Sequence, residues 1–276
     1  MKTYVISLAR SRERRQYILA HTRQRKMEVE LIEAVDGRTL SEEKLAEHCL
    51  MDHIKKHPEY FTPGMIGCAL SHYKAYQQFI ASGEDFGFFI EDDVVLPTHI
   101  HELLRSVLCT IRQREVIMLH FNPAGSTVLS TVGREPIDTE SHLMYPMGET
   151  GSAMAYILSR EVAQGLLRII KPIRTSADSW EFFYKQGALD TFRVCYPARV
   201  TPSDFKSSID YINDRSLLGR FSNTVANYRI PVLYQILRRI RRWRRFRLEN
   251  TVSLTDMPSP FMPDDDHATR RSSTSH

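Results

Sequence analysis

The stretch FGFFIEDDVVLP, residues 86–97, constrains the fold more than any other part of the chain. Phe88, Phe89 and Ile90 follow one another with no polar interruption. Successive side chains of a strand point to opposite faces, so a strand built from these residues is apolar on both sides. Such a strand belongs inside a sheet covered on both faces. It then runs directly into Glu91, Asp92 and Asp93. Two unit charges about 4 Å apart interact by roughly 4 kcal/mol at an effective dielectric near 20. Adjacent carboxylates at a buried strand end therefore raise each other's pKa unless a positive group sits between them. A divalent cation is the natural partner, and oxygen ligands suit Mg²⁺ or Mn²⁺. Ligands of open α/β sheets lie beyond the carboxyl ends of the strands, where this triplet falls. If the extended conformation persists, Glu91 and Asp93 share one side and Asp92 takes the other. The competing reading is a solvated turn whose acids pair with nearby Lys or Arg. The immediate return to apolar VVLP argues against a surface charge block.

The segments around this strand alternate. TYVISL (3–8) reads as a core strand, followed by a helix through RERRQYILAHTRQ entered at Ser11. VELIEAVDG reads as a second strand ending in an Asp-Gly turn, and a helix runs from Ser41 toward Ile54. Thr62 and Pro63 open a long helix that Gly83 stops; Pro suits the first helical position because it has no N–H to leave unpaired. A helix over 99–112 and a strand VIMLH follow. Residues 121–150 are irregular and predict a hairpin or a loop over a site. SAMAYILS is a strand, Ser159 starts a helix to Ile170, 180–185 is a short helix and FRVCYP a last strand. Strands alternating with helices predict an α/β sandwich with a mostly parallel central sheet.

With 276 residues, 42% of them hydrophobic, the chain can bury a sizeable core. The formal net charge is only +4, which does not favour a general polyanion binder, and no specific nucleic acid partner is expected. The charge is uneven. Arg238, Arg239, Arg241, Arg242, Arg244, Arg245 and Arg247 form one basic run, leaving 30 basic against 33 acidic residues elsewhere. Leu233, Ile236, Leu237, Ile240 and Trp243 fall on one face of a helix over the same segment. A basic amphipathic helix at Arg238–Arg247 suits an anionic membrane surface. A helix packed on the body with a solvated Arg face is the plainer alternative. Residues 251–276, rich in Pro, Asp and Ser, predict a disordered tail. The four cysteines form no C-x-x-C pair and fit a reducing compartment, with Cys68 and Cys109 read as small core residues. The start MKTYVISLAR lacks the pattern of a secretory leader, so none is expected.

Four segments occur in order: YVISLARSRERR, AVDGR at 34–38, PGMIGCALSHYKAYQ at 63–77 and FFIEDDVVL at 88–96. Together they resemble glycosyltransferase family 25, the bacterial lipopolysaccharide and lipooligosaccharide β-galactosyltransferases and their collagen-modifying relatives. The resemblance covers the first hundred residues well and continues weakly through GSAMAYILSREVAQGLL. It implies a GT-A-like nucleotide-sugar-binding sandwich over 1–228, with the basic helix at 229–250 and the tail after it. It implies transfer of galactose, with inversion, from UDP-galactose to a sugar hydroxyl of a glycolipid acceptor. An enzyme of this kind is expected in the cytoplasm, peripheral on the inner face of a bacterial inner membrane.

By the same carry-over, the EDD triplet is the family's metal motif. Asp93 is the leading ligand for Mn²⁺ (or Mg²⁺) and Glu91 the next, with Glu91 and Asp92 also placed toward the ribose. A cation there stabilises the charge that builds on the departing diphosphate. The acceptor hydroxyl must lose a proton, which calls for a positioned carboxylate. Asp178 in TSADSWEFF is nominated as that base, with Glu149 in MGETGS as rival; a plain helix cap is the alternative for Asp178. Ser7, Leu8 and Arg12 after the first strand, Asp36 and Gly37 in the turn, and Ser71 and His72 on the long helix are the remaining candidates for donor contact. Arg199 or Lys206 is available to neutralise the diphosphate. A carboxylate-dependent glycoside or phosphate hydrolase and a non-catalytic membrane-binding module are the alternatives in other classes. Adjacent carboxylates do not straddle a glycosidic bond, which disfavours the hydrolase.

Overall fold

The structure, a computed structural model, describes residues 1–56, 61–123, 128–147, 150–205 and 251–253. The basic segment Arg238–Arg247, Lys206 and Glu149 lie outside the described residues.

The first half of the fold runs β1 (Lys2–Ser7), α1 (Arg12–Gln24), β2 (Val29–Glu33), α2 (Glu42–His48), α3 (Met51–Lys56), α4 (Pro63–Ser82), β3 (Phe86–Glu91), β4 (Val94–Val95), α5 (Ile100–Thr110) and β5 (Glu115–Met118). The second half runs β6 (Asn122–Pro123), β7 (Val128–Pro136), β8 (His142–Met147), β9 (Thr150–Gly151), β10 (Ala155–Ser159), α6 (Arg160–Ile170), α7 (Trp180–Lys185), β11 (Thr191–Tyr196), β12 (Thr201–Pro202) and β13 (Thr251–Ser253). Among the described residues, nine strands form the main sheet in the order β13-β7-β8-β11-β5-β10-β3-β1-β2.

The double-sided strand behaves as its composition demands. Phe89 faces one apolar cluster with Tyr4, Tyr156, Trp180 and Phe79, under α4, α6 and α7. Phe88 and Ile90 face a second with Val5, Ile157, Ile18 of α1 and Leu103, Leu104 and Val107 of α5. Helices therefore cover both faces of the sheet, as an α/β sandwich requires. The sheet is mixed rather than mostly parallel. Three of its eight pairings are parallel, β1 with β2 and with β3, and β5 with β11. β10 lies antiparallel between β3 and β5, starting where β3 ends.

Local caps fix α4. The Thr62 side chain accepts from the Met65 amide, Pro63 occupies the first turn, and Gly83 closes the helix at φ +82°, a left-handed conformation open to glycine. The single helix expected from Ser41 to Ile54 is instead two. Cys49 bridges to Ile173, whose amide donates to His48 O at 2.7 Å while the Leu50 amide donates to Ile173 O at 3.0 Å. A long-range backbone pairing thus interrupts a segment that is locally helical. The hairpin expected in 121–150 is β7–β8, which extends the sheet. Among the described residues of that region, the short β6–β9 pair is the part that approaches the site described below. Thr251–Ser253, in the segment expected to be disordered, pairs with β7. No helix among the described residues is long and apolar enough to cross a membrane.

Candidate active site

β1, β2 and β3 run parallel, so their carboxyl ends meet at one edge of the sheet. Leu8, Asp36 and Glu91 follow or end these strands, and α4 closes the space from one face. The resulting cleft is lined by Leu8, Arg10, Arg14, Asp36, Cys68 and Glu91, with Gly37, Ser71, His72 and Asp92 in the same wall. The structure thus gathers the candidates Leu8, Asp36, Gly37, Ser71, His72, Glu91 and Asp92 around one space. Ser7 stands behind it, buried, its carbonyl accepting from Arg15 and from the Ala34 amide. Arg12 is exposed on α1 and does not line the cleft. Arg10 and Arg14 supply the positive charge there instead.

Arg14 meets the acidic strand end. The strand stops at Glu91, and Asp92 and Asp93 sit in a turn, so the alternation that paired Glu91 with Asp93 does not continue. Both aspartates meet one Arg14 nitrogen, Asp93 at 2.8 Å and Asp92 closer still. They are buried, at 4% exposure for Asp92 and 8% for Asp93, so the turn is not solvated. Burial and the neighbouring Glu91 push Asp93 up to about 7 despite Arg14. Burial likewise raises Asp92, against hydrogen bonds from Ser7 and Arg14.

Asp36 is opposite in character. Burial works to raise its pKa, but hydrogen bonds from Arg10 at 2.5 Å and from the Arg38 amide at 3.2 Å, with their charges, hold it below the usual carboxylate range. Its turn is locked from beneath. A Cβ on Gly37 would stand 1.7 Å from Pro63 O, and one on Gly67 would stand 2.6 Å from the Gly37 amide nitrogen. Only glycine permits this approach of turn and helix. The Ser71 hydroxyl donates to Gly67 O at 2.6 Å and accepts from the Val35 amide at 2.8 Å, which ties α4 to the end of β2.

His72 is buried beneath the cleft. Its Nδ1 lies 2.6 Å from the Tyr156 hydroxyl, which lies 2.7 Å from the Tyr76 hydroxyl. Its Nε2 has no hydrogen-bond partner among the described residues and lies 3.6 Å from Glu91 Oε1.

Asp178 lines a second cleft with Met65, Asn122, Ser152 and Ala153, and two residues, Cys68 and Glu91, belong to both clefts. Ser179, not Asp178, is the N-cap residue of α7, so the plain capping alternative is not what the structure contains. The Asp178 carboxylate rests against Gly151, where a Cβ would come within 2.6 Å of Oδ2. Arg199 points elsewhere, toward His99, Asp138 and Glu140. Cys109 is exposed, so it is not a core residue, whereas Cys68 is half-buried and packs against the core at the edge of the cleft.

Sequence reasoning missed Arg14 and Cys68, and both carried a signal. Arg14, Ile18 and Thr22 recur every four residues on α1, and Ile18 and Thr22 are its buried positions. Cys68 and His72 are likewise four apart on α4, on one face.

Residues 1–180 match the family model described as glycosyltransferase family 25 (LPS biosynthesis protein). The chain belongs to glycosyltransferase family 25. A "Glycosyltransferase 25 family member" of Aedes aegypti is 25% identical over 248 residues, covering 80% of this chain and 39% of that protein. One of Anopheles gambiae is 28% identical, covering 76% and 38%. "Procollagen galactosyltransferase 2" of Homo sapiens is 30% identical over 121 residues, covering 41% and 19%. This family 25 chain thus spans about two fifths of the length of the two mosquito relatives. A solved mannose-1-phosphate geranyltransferase from Thermus thermophilus aligns over 70% of this chain and 73% of its own at a TM-score of 0.34 and 11% identity.

Proposed function

We propose that this family 25 chain transfers galactose from UDP-galactose to a sugar hydroxyl of a lipopolysaccharide or lipooligosaccharide acceptor, with inversion. One observation carries the reading: Glu91 faces two clefts at once, one rich in Arg and turn backbone, the other holding Asp178. A donor in the first and an acceptor in the second meet at that carboxylate. Family membership and similarity to procollagen galactosyltransferases support the choice of sugar.

The residues at the acidic end fit a dication. Asp93 Oδ1 is buried with no hydrogen-bond partner among the described residues, and Glu91 stands beside it with its charge pushing the Asp93 pKa up. Glu91 and Asp93 would hold Mn²⁺ (or Mg²⁺), which would neutralise charge building on the leaving diphosphate.

The chain's own groups do the rest. Arg10 and Arg14 bring positive charge to the donor cleft, and Asp36, held ionised by Arg10, offers an acceptor to sugar hydroxyls. Asp178 takes the proton from the acceptor hydroxyl as its oxygen bonds to the anomeric carbon. The bond from that carbon to the diphosphate breaks, and UDP departs with the electron pair.

The Arg238–Arg247 segment is proposed to hold the enzyme at an anionic membrane surface near a lipid-borne acceptor, on the cytoplasmic face. Replacing its arginines by Gln should reduce sedimentation with anionic vesicles and leave transfer to a soluble acceptor intact.

A donor screen tests the reading. Galactose should move to acceptor from UDP-galactose, in preference to UDP-glucose, and chelator should stop it. Transfer unaffected by chelator would overturn the cation assignment.

A further inference from the structure

The geometry points to a cation seat of mixed sulfur, nitrogen and oxygen ligands, formed by Cys68, His72 and Glu91 and suited to Zn²⁺. It goes beyond the oxygen seat proposed above, shares only Glu91 with it, and does not require that glycosyl transfer occur.

Three observations place it. The ligand atoms of Cys68, His72 and Glu91 all lie within 4.8 Å of one another. Glu91 Oε1 is 4.0 Å from Cys68 Sγ and 3.6 Å from His72 Nε2. Around a tetrahedral Zn²⁺ with bonds of about 2.0–2.3 Å, such ligand pairs stand roughly 3.4–3.7 Å apart. Modest contraction brings the three onto one ion.

His72 supplies the second observation. The residue is 1% exposed, yet its Nε2 has no hydrogen-bond partner among the described residues and is aimed at Glu91. A separation of 3.6 Å is too long for a hydrogen bond. A buried ring nitrogen without a partner calls for an explanation, and an ion between it and the carboxylate supplies one.

The other ring nitrogen is set as a metal-bound histidine requires. Nδ1–H can donate to the Tyr156 oxygen while the Tyr156 hydroxyl donates to Tyr76. In that arrangement the Nε2 lone pair is free to bind an ion. The third observation is access. Cys68 and Glu91 line both clefts, so an ion can enter and a fourth position stays open to solvent or ligand.

The proton balance is simple. Glu91 binds as carboxylate and His72 as neutral imidazole. Cys68 gives up its thiol proton to solvent as the sulfur–metal bond forms.

The test is Co²⁺ titration of the chelator-stripped full chain. One equivalent should produce near-ultraviolet thiolate-to-Co²⁺ absorption, removed by added Zn²⁺. Cys68→Ser should abolish the band and Asp93→Asn should keep it. Tyr156→Phe should weaken Zn²⁺ binding by about ten-fold. A second readout needs no variant: Zn²⁺ should slow alkylation of Cys68 but not of exposed Cys109, followed by peptide mass spectrometry. A band that survives Cys68→Ser, no band at excess Co²⁺, or equal alkylation of Cys68 with and without Zn²⁺ overturns the proposal. None of these readouts depends on galactosyl transfer.

Discussion

Arg14 Nη2 stands 2.8 Å from Asp93 Oδ2, and the same nitrogen also meets Asp92. A single guanidinium therefore meets two of the three acids at the strand end. Arg14→Ala leaves two buried carboxylates uncompensated, and removing one partner of a buried pair costs about 3–5 kcal/mol. Urea denaturation should show a loss of that order, with Arg14→Lys recovering part of it. A variant as stable as wild type would show that the acids are neutral without Arg14.

Asp93 gives the apo protein a pH signature. Its folded pKa, about 7, lies above the ordinary 3.8. Between those values the folded state binds the extra proton, so this group's contribution falls as pH rises through that window and levels off above it. In chelator, the melting temperature of wild type minus that of Asp93→Asn should decrease from pH 5 to pH 8. A pH-independent difference would contradict the assignment.

Gly37 tests the floor of the cleft that holds Arg10 and Arg14. Its missing Cβ would sit 1.7 Å from Pro63 O, which belongs to backbone and cannot rotate away. Gly37→Ala should therefore cost on the order of 3 kcal/mol or more, by the mechanisms that produce the large tail of mutational effects. Gly187, with φ +72° and open space around its Cβ position, offers a contrast. Gly187→Ala should cost only about 1 kcal/mol from backbone strain. Thermal melts of the two variants decide it.

Arg193 shows how burial decides what an ion pair is worth. It is fully buried and meets Glu115 through two nitrogens, at 2.5 and 2.9 Å, with Glu115 also fully buried. It meets Glu135 at 2.6 Å, but that carboxylate is 40% exposed. Glu115→Gln should cost about 3–5 kcal/mol. Glu135→Gln should cost about 1 kcal/mol or less. Equal losses in chemical denaturation would contradict this distinction.

Much of the site was legible because it follows from local chemistry. Thr62, Pro63 and Gly83 mark the ends of α4 by capping and φ alone, and the apolar run before Glu91 identifies a strand covered on both faces. What was not legible depends on distant partners. Nothing near Cys49 announces the pairing with Ile173 that splits α2 from α3. Apolar runs carry no direction, so the antiparallel β10 between β3 and β5 was hidden, and with it the mixed character of the sheet. The EDD triplet announced a cation but not which one. A guanidinium far from it in sequence, on the inward face of α1, answers two of the three acids, and only the four-residue spacing of Arg14, Ile18 and Thr22 hinted at it. Arg12, two residues earlier, points out of that face.

In the proposed reaction, donor and acceptor meet where Glu91 joins the two clefts, with Asp178 accepting the acceptor's proton. The most direct measurement is the kinetics of Asp178→Asn with UDP-galactose and a glycolipid acceptor. Turnover should fall by about 10²–10⁴-fold, the usual contribution of a general base, while calorimetric affinity for UDP stays that of wild type. Wild-type turnover in that variant, or galactose released to water at the same rate with and without acceptor, would contradict the account.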